Sequence, residues 1–261
     1  MGSSVIVKVC ILASSSSGNS AFIATDQTRI LVDAGLSRRE ITKRLAAIGE
    51  DIEKLDAILV THEHSDHICG LTSLSRKLKI PIYLTQQTAP TIDWGTEEPR
   101  LETFQAGRRF MVGRFSVESF TIPHDATDPV GYTLTADGVK IGIATDLGYM
   151  PDSIRMHLKG VDLLLLESNH DLDMLKVGPY PWSVKQRVMS RRGHLSNEVV
   201  ATFIKDDLDH CVSTLVLGHL SEHNNHPELV RAMGARSLDG RALWTRLVVC
   251  EPGVQSEVFY Y

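Results

Sequence analysis

Four cysteines in 261 residues, Cys10, Cys69, Cys211 and Cys250, are too few and too scattered for a disulfide scaffold, and no two share the CxxC spacing of a zinc ribbon or thiol redox site. The expectation is reduced, buried thiols in a cytoplasmic protein. Long apolar runs are missing too, and none approaches the roughly twenty residues that a membrane helix needs. The run VIVKVCILA at 5–13 is broken by Lys8 and followed by SSSSGNS without a cleavage site, so it reads as a first β-strand and not a signal sequence. There is no basic excess: 27 Lys and Arg stand against 32 Asp and Glu, a net charge of −5, so any polyanion site has to be local. Aromatic residues make up 6%, and no aromatic-rich platform for stacking bases is visible. Repeats, linkers and low-complexity segments beyond the serine run are absent as well.

What is present is an ordinary globular composition, 43% hydrophobic and 23% charged, on a chain long enough to bury a large core. AFIAT and RILVDAG flank the turn DQT as a hairpin, and residues 37–48 alternate at helical spacing behind Ser37 as N-cap. DAILVTH is an apolar strand of the kind buried on both faces; LTSLSRKL reads as a helix and IPIYLT as a strand. From about 100 to 145 the pattern is mostly β, including a hairpin turning at Asp137-Gly138. SNEVVATFIKDDL is an amphipathic helix, and the tail RLVVCEPGVQSEVFYY looks like a last hairpin. Strands and helices interleave throughout, which points to one α/β domain over 1–261.

Chemistry concentrates in AILVTHEHSDHICGL at 57–71, where an apolar strand stops and His62, His64, Asp66 and His67 follow within six residues. A lone histidine is most often structural; four ligand-type residues at the end of a buried strand are a different case. His62 and His64, two apart, can share one metal, and Asp66 and His67 can turn toward a second. Cys69, two residues on, reads as a buried thiol.

HEHSDH resembles the HxHxDH hallmark of the metallo-β-lactamase superfamily. That resemblance implies an αββα four-layer sandwich with two divalent metal ions between the sheets and later ligands at strand ends. Candidates occur in order: His124 in TIPHD, Asp146 in IATDLG and His219 in LVLGHLS. By resemblance His62, His64 and His124 hold one ion, Asp66, His67 and His219 the other, and Asp146 bridges them. True β-lactamases of this kind tend to carry cysteine where Asp146 stands, so antibiotic hydrolysis is set aside. LASSSSGNS, LESNHD, PYPWSVKQR with RGHLSNE, and GHLSEHNN resemble the YycJ-like branch, bacterial nucleases that include 5′-to-3′ DNA exonucleases, over residues 9 to 230. Ser15 stands where that branch commonly has a further glycine, and His223 where an acidic or neutral polar residue is expected.

The expected reaction is hydrolysis of a nucleic-acid phosphodiester, DNA above RNA, by a water that two ions share and deprotonate. Zinc or manganese suits the histidine-rich set, and the carboxylates admit magnesium. His194, by similarity to transfer-RNA 3′-processing enzymes, contacts the scissile phosphate or protonates the leaving oxygen, oriented by Glu167; alternatively it is incidental to a helix capped by Ser196. Ser16, Ser17 and Asn19 are candidate phosphate donors or merely a tight turn. Lys185, Arg187, Arg191 and Arg192 lie within eight residues free of acids, either a solvated face or a guide for a polyanion. Two other readings stand: a small-molecule hydrolase of the same fold (lactonase, thioesterase or cyclic phosphodiesterase), and a non-catalytic metal-binding module. The seven filled ligand positions weigh against the second.

Overall fold

The computed structural model describes residues 6–239, 241 and 244–261; Val5, which opens the first expected strand, lies outside them. The first half of the chain runs β1 (Lys8–Ser15), β2 (Gly18–Ala24), β3 (Arg29–Val32), α1 (Arg38–Ala47), β4 (Ala57–Leu59), α2 (Ser65–Ile68), α3 (Leu71–Leu78), β5 (Ile82–Thr85) and β6 (Leu101–Phe104). The second half runs β7 (Arg109–Val112), β8 (Phe115–Thr121), β9 (Val130–Ala136), β10 (Val139–Ala144), α4 (Asp152–His157) and β11 (Leu163–Glu167). After these come α5 (Leu172–Val177), α6 (Trp182–Val188), α7 (Asn197–Asp206), β12 (Thr214–Gly218), α8 (Pro227–Asp239), β13 (Arg246–Val249) and β14 (Val258–Tyr260). Two seven-stranded mixed sheets result, ordered β14-β1-β2-β3-β4-β5-β6 and β13-β12-β11-β10-β9-β8-β7.

Strand alternation assigns each residue to a layer. Along β11, Leu163 and Leu165 enter the core between the sheets, where they join Ile11, Val32, Leu59, Val117 and Tyr132. Leu164 and Leu166 face the opposite way, among Val200, Phe203 and Ile204 of α7 and Val230 of α8. On the other sheet, Cys10, Leu12, Phe22 and Ile58 pack against Ile41 and Leu45 of α1 and Leu71 and Leu74 of α3. This is a helix–sheet–sheet–helix sandwich. Both faces of these strands are covered, which is why DAILV and LLLL read as unbroken apolar runs; each fully buried leucine contributes about 1.5–3 kcal/mol.

The caps and turns follow the local chemistry. Ser37 accepts from Glu40 N at the start of α1, Ser196 from Val199 N at the start of α7, and Asp137 and Gly138 have φ of 49° and 87°, as a two-residue hairpin turn requires. Two expectations are corrected. The tail is not a hairpin: β13 pairs parallel with β12, whereas β14 pairs antiparallel with β1 in the other sheet. The residues between cross from sheet to sheet, anchored by Ser256 N to Ile11 O and by Arg44 to Gly253 O. Each strand takes an open sheet edge, a partner more favourable than its neighbour in sequence. Of the four thiols, Cys10 and Cys250 are buried, and burial pushes Cys250 up to about 12. Cys69 and Cys211 are exposed, Cys69 because it follows α2 at the surface beside Arg38, Thr72 and Arg76.

The two sheets are stitched together at one end. Tyr132 donates to Val60 O at 2.6 Å, Val130 N to Thr61 O, and His219 N to Ser14 Oγ at 2.8 Å. Asp33, Ala34 and Gly35 dock on the motif segment and the serine turn, Ala34 N donating to His67 O, Gly70 N to Ala34 O and Gly35 N to Asn19 O, each at 2.8 Å. A Cβ on Gly35 would overlap Asp66 O and lie 2.6 Å from Asn19 N. Both obstacles are backbone or bonded to it. Gly35→Ala therefore costs about 3 kcal/mol or more of stability, read as a lowered denaturant midpoint; a midpoint within error of the parent would contradict the close approach.

Candidate metal centre

The strand ends deliver the donors. After β4 the chain bends at Thr61 and runs on to His64, the extended N-cap residue of α2, so Asp66 and His67 lie in the first turns of that short helix. His124 follows β8, Asp146 follows β10 and His219 follows β12. Asp33, Asp146 and His219 have φ of 60°, 62° and 54°, a left-handed conformation that costs a non-glycine residue about 1 kcal/mol and that Asp tolerates better than most. The turns at these strand ends aim side chains into the cleft between the sheets.

The rings of His62, His64 and His124 form a triangle, with centroids 4.6, 5.1 and 5.0 Å apart. Asp66, His67 and His219 form a second donor group: Asp66 Oδ2 lies 3.4 Å from His67 Nε2 and 3.5 Å from His219 Nε2. Asp146 stands between them, Oδ2 at 3.2 Å from His67 Nε2, Oδ1 at 3.4 Å from His219 Nε2 and 3.7 Å from His124 Nε2. All seven sequence-derived ligand candidates thus lie in one cluster.

Hydrogen bonds behind the rings set their tautomers. The Thr61 hydroxyl donates to Asp33 Oδ2 at 2.9 Å, so its oxygen accepts from His62 Nδ1 at 3.0 Å. His67 Nδ1 donates to Asp33 Oδ2 at 2.8 Å, His124 Nδ1 to Gly193 O at 3.2 Å and His219 Nδ1 to Glu167 Oε1 at 2.9 Å. Each of these four rings therefore points Nε2 toward the cleft; His64 presents Nδ1, 3.3 Å from His124 Nε2. Sequence reasoning missed Asp33, Thr61 and the Gly193 carbonyl. The aspartate that ends the apolar run RILV was the available signal.

The site fits a divalent cation. His62 Nε2 and Asp146 Oδ2 are buried and have no hydrogen-bond partner among the described residues, an arrangement that metal ligation satisfies. Burial opposes the charge on Asp146, yet His219 and His67 outweigh it and hold the carboxyl well below the usual range. Burial also opposes a charged His219, but Asp146 and the hydrogen bonds to Asp66 and Glu167 raise it to about 10. At His62, burial and the charge of His67 outweigh the pull of Asp146 and hold the ring well below an ordinary histidine. The carboxylates gather positive charge here, and a bound metal ion would supply it while taking the lone pairs of the rings in place of protons.

Replacing Asp33, which carries no ligand candidacy, tests that support. Asp33→Asn keeps the size and tolerates the left-handed backbone but loses the carboxylate behind His67. It lowers metal affinity by about 10–100-fold, measured by competition with a chelator. Unchanged affinity would mean that His67 is oriented by packing alone.

Around the donors lies a cavity of about 220 Å³. Its lining includes Ser16, Asp125, Asn169, Arg187, Gly193 and His194. His194 Nδ1 donates to Glu167 Oε1 at 2.6 Å; burial disfavours its charge, but the Glu167 carboxylate prevails and raises its pKa. Glu167 is fully buried and so grips His194 and His219 with one oxygen.

The other candidates scatter. Ser16 lines the cavity, Ser17 is exposed with its hydroxyl 2.9 Å from Ser15 Oγ, and Asn19 is buried, donating to Ser15 O and Asp66 Oδ2. Arg187 reaches the cavity and pairs with Asp125. Lys185 departs from the expected guide: its stem is buried, and Nζ donates to Lys176 O at 2.7 Å, tying α6 to α5. Arg191 lies over the Tyr149 ring, 4.2 Å from its centroid, and Arg192 is exposed away from the lining.

Residues 28–220 match the family described as the beta-lactamase superfamily domain. The chain is 40% identical to the exodeoxyribonuclease WalJ of Streptococcus pneumoniae, covering 85% of this chain and 84% of that one. It is 37% identical to the exodeoxyribonuclease YycJ of Bacillus anthracis, covering 88% of each. Among solved structures, the metallo-β-lactamase fold protein YhfI of Bacillus subtilis superposes with a TM-score of 0.75 over 98% of this chain and 100% of that one, at 18% identity. With HEHSDH spanning the loop after β4 and the start of α2, and relatives aligned over more than four-fifths of its length, the chain belongs to the metallo-β-lactamase superfamily and, within it, to the YycJ-like branch.

Proposed function

We propose that the chain is a metal-dependent nuclease that hydrolyses phosphodiester bonds in DNA and removes nucleotides from a 5′ end, working as one domain. Two divalent ions, zinc or manganese with magnesium also admissible, are assigned to His62, His64 and His124 and to Asp66, His67 and His219, with Asp146 shared. The observation that carries this reading is the pair His194–Glu167, 2.6 Å apart at the edge of the donor cluster, an imidazole outside the ligand set and held for proton transfer. The two relatives named exodeoxyribonucleases support DNA as the polymer and an end as the point of attack.

When bound, such ions act as Lewis acids and lower the pKa of a coordinated water. The protein's own groups do the rest. Glu167 favours the charged form of the His194 ring and turns it so that Nε2 faces away from the carboxylate, where the protonated ring can give its proton to the leaving oxygen. Ser16 at the cavity wall, whose hydroxyl makes a long 3.4 Å hydrogen bond to Leu220 O, can turn to a phosphate oxygen instead. Arg187 offsets the charge of Asp125, which would otherwise repel a phosphate beside His124.

The test is cleavage of end-labelled single- and double-stranded DNA and RNA by protein stripped of metal and resupplied with manganese, zinc or magnesium, with an Asp146 variant as control. Stepwise loss from the 5′ end of DNA, absent in the variant, is the expected result. Intact polymers under every metal would overturn the nuclease reading and send the cavity to lactones, thioesters and small phosphodiesters.

A further inference from the structure

The face of α3 turned away from the core is cationic. Thr72 and Arg76, like Ser73 and Lys77, are four residues apart and so share one side of the helix, while Leu71 and Leu74 bury the other. With Arg38 at the start of α1 and Cys69 after α2, these four residues line one open groove. It carries three cations and no carboxylate, on a chain whose net charge is −5. Little neutralises them. Lys77 meets the half-exposed Glu53 at 3.2 Å, Arg76 reaches only the Trp94 carbonyl at 3.4 Å, and Arg38 has no ion-pair partner among the described residues.

The groove adjoins the metal cavity through α2. Asp66 lines the cavity and Cys69 lines the groove, three residues and about 4.5 Å apart along a helix axis. The backbone between has no slack: a Cβ on Gly70 would lie 2.2 Å from Leu36 O and 3.2 Å from Arg38 N, so α1 starts against the turn that follows α2. None of the three cations lines the metal cavity, so they take no part in breaking the bond. What suits them is an anion that continues out of the cavity. A stacked strand advances about 3.4 Å per phosphate, so linkages within a few nucleotides of the cleaved one arrive at α1 and α3. A free anion gains little from exposed cations in water, whereas a chain already held in the cleft brings its next phosphates there at high effective concentration.

We propose that the groove between α1 and α3 binds backbone phosphates of the substrate strand beside the cleaved linkage, and so favours polymers over isolated phosphodiesters. The inference rests on the nuclease reading. Each guanidinium can meet two phosphate oxygens at once, and Thr72 and Ser73 add hydroxyl donors. Such contacts position the strand and are blind to its sequence.

Thiol chemistry reads occupancy of the groove, because Cys69 and Cys211 are exposed whereas Cys10 and Cys250 are buried. The protein as isolated is alkylated with iodoacetamide, with and without a cleavage-resistant phosphorothioate strand, and each cysteine is followed by peptide mass spectrometry. The strand slows labelling of Cys69 and leaves Cys211, in the turn before β12, unchanged. Cys69 labelled at one rate with and without the strand overturns the groove, as does equal protection of both thiols. Kinetics supply a second readout. Arg38→Gln combined with Arg76→Gln keeps good helix formers at two exposed positions. On an oligonucleotide the pair raises KM roughly 2- to 30-fold, the range for two exposed ion pairs. It also flattens the slope of log KM against log salt by about 1.4, at about 0.7 for each phosphate of a single strand. Arg38→Lys with Arg76→Lys, which keeps both charges, recovers most of each effect. A p-nitrophenyl phosphodiester, too short to leave the cavity, loses less than the oligonucleotide does. Equal losses on both substrates, or an unchanged salt slope, overturn the groove. Protection of Cys69 with no polymer cleaved under any metal would overturn the nuclease reading and leave the groove standing; cleavage from a 5′ end with Cys69 labelled at the unprotected rate would do the reverse.

Discussion

Asp146→Asn lowers turnover by about a thousandfold or more, because the several kcal/mol that a Lewis acid contributes convert at roughly 1.4 kcal/mol per decade. The change is minimal in shape. Asparagine enters the left-handed region nearly as readily as aspartate, so the φ of 62° adds little strain to the variant. What disappears is the charge on a side chain 2% exposed, whose oxygens sit 3.2 to 3.7 Å from imidazole nitrogens of His67, His219 and His124. A neutral amide presents one oxygen and an NH₂ that competes with any cation for the same space. Metal content by elemental analysis should fall along with turnover. Asp146→Ala adds the backbone penalty, so its thermal midpoint drops further than that of Asp146→Asn while its activity is no lower. Full metal content with activity within tenfold of the parent would remove Asp146 from the centre of the site.

His194→Ala lowers kcat by about 10²–10⁴-fold with metal content unchanged, as expected for a lost general acid. The diagnostic lies in the leaving group. A p-nitrophenyl phosphodiester expels an anion that needs no proton, so the variant should lose far less on it than on a DNA linkage. Equal losses on both would show that His194 only shapes the cavity. Glu167→Gln differs because Glu167 Oε1 serves His194 at 2.6 Å and His219 at 2.9 Å. It should lose both kcat and metal affinity, the latter by about 10–100-fold. Comparing the two variants separates proton transfer from ligand support.

Much of this site is legible in the sequence because its parts obey local rules. HEHSDH follows an apolar run, and His124, Asp146 and His219 each follow a strand, so ligand types and strand ends coincide. The layers are legible for a similar reason, since strands covered on both faces must be apolar throughout. The support behind the ligands follows no such rule. Asp33 meets His67 across 34 positions, and Gly193 acts through a carbonyl that every residue possesses. Lys185 sits in a run of cations and is distinguished only by the buried path of its stem to Lys176 O. The tail misled because a turn-rich gap between two short apolar runs looks the same whether the runs pair with each other or with β12 and β1.

The left-handed residues at Asp33 and Asp146 also bear on how a lineage with this fold would change. Asparagine and glycine are the replacements that such a backbone accepts most readily, and neither carries a carboxylate. Drift at these positions therefore leads away from metal binding without first disturbing the sheets. A descendant that abandoned catalysis would keep its sandwich and stability and record the loss as Asn or Gly at the ends of β3 and β10. A descendant exchanging one metal for another has more freedom at His62, His64, Asp66, His67 and His124, whose backbone lies outside the left-handed region and sets no such limit on the side chain.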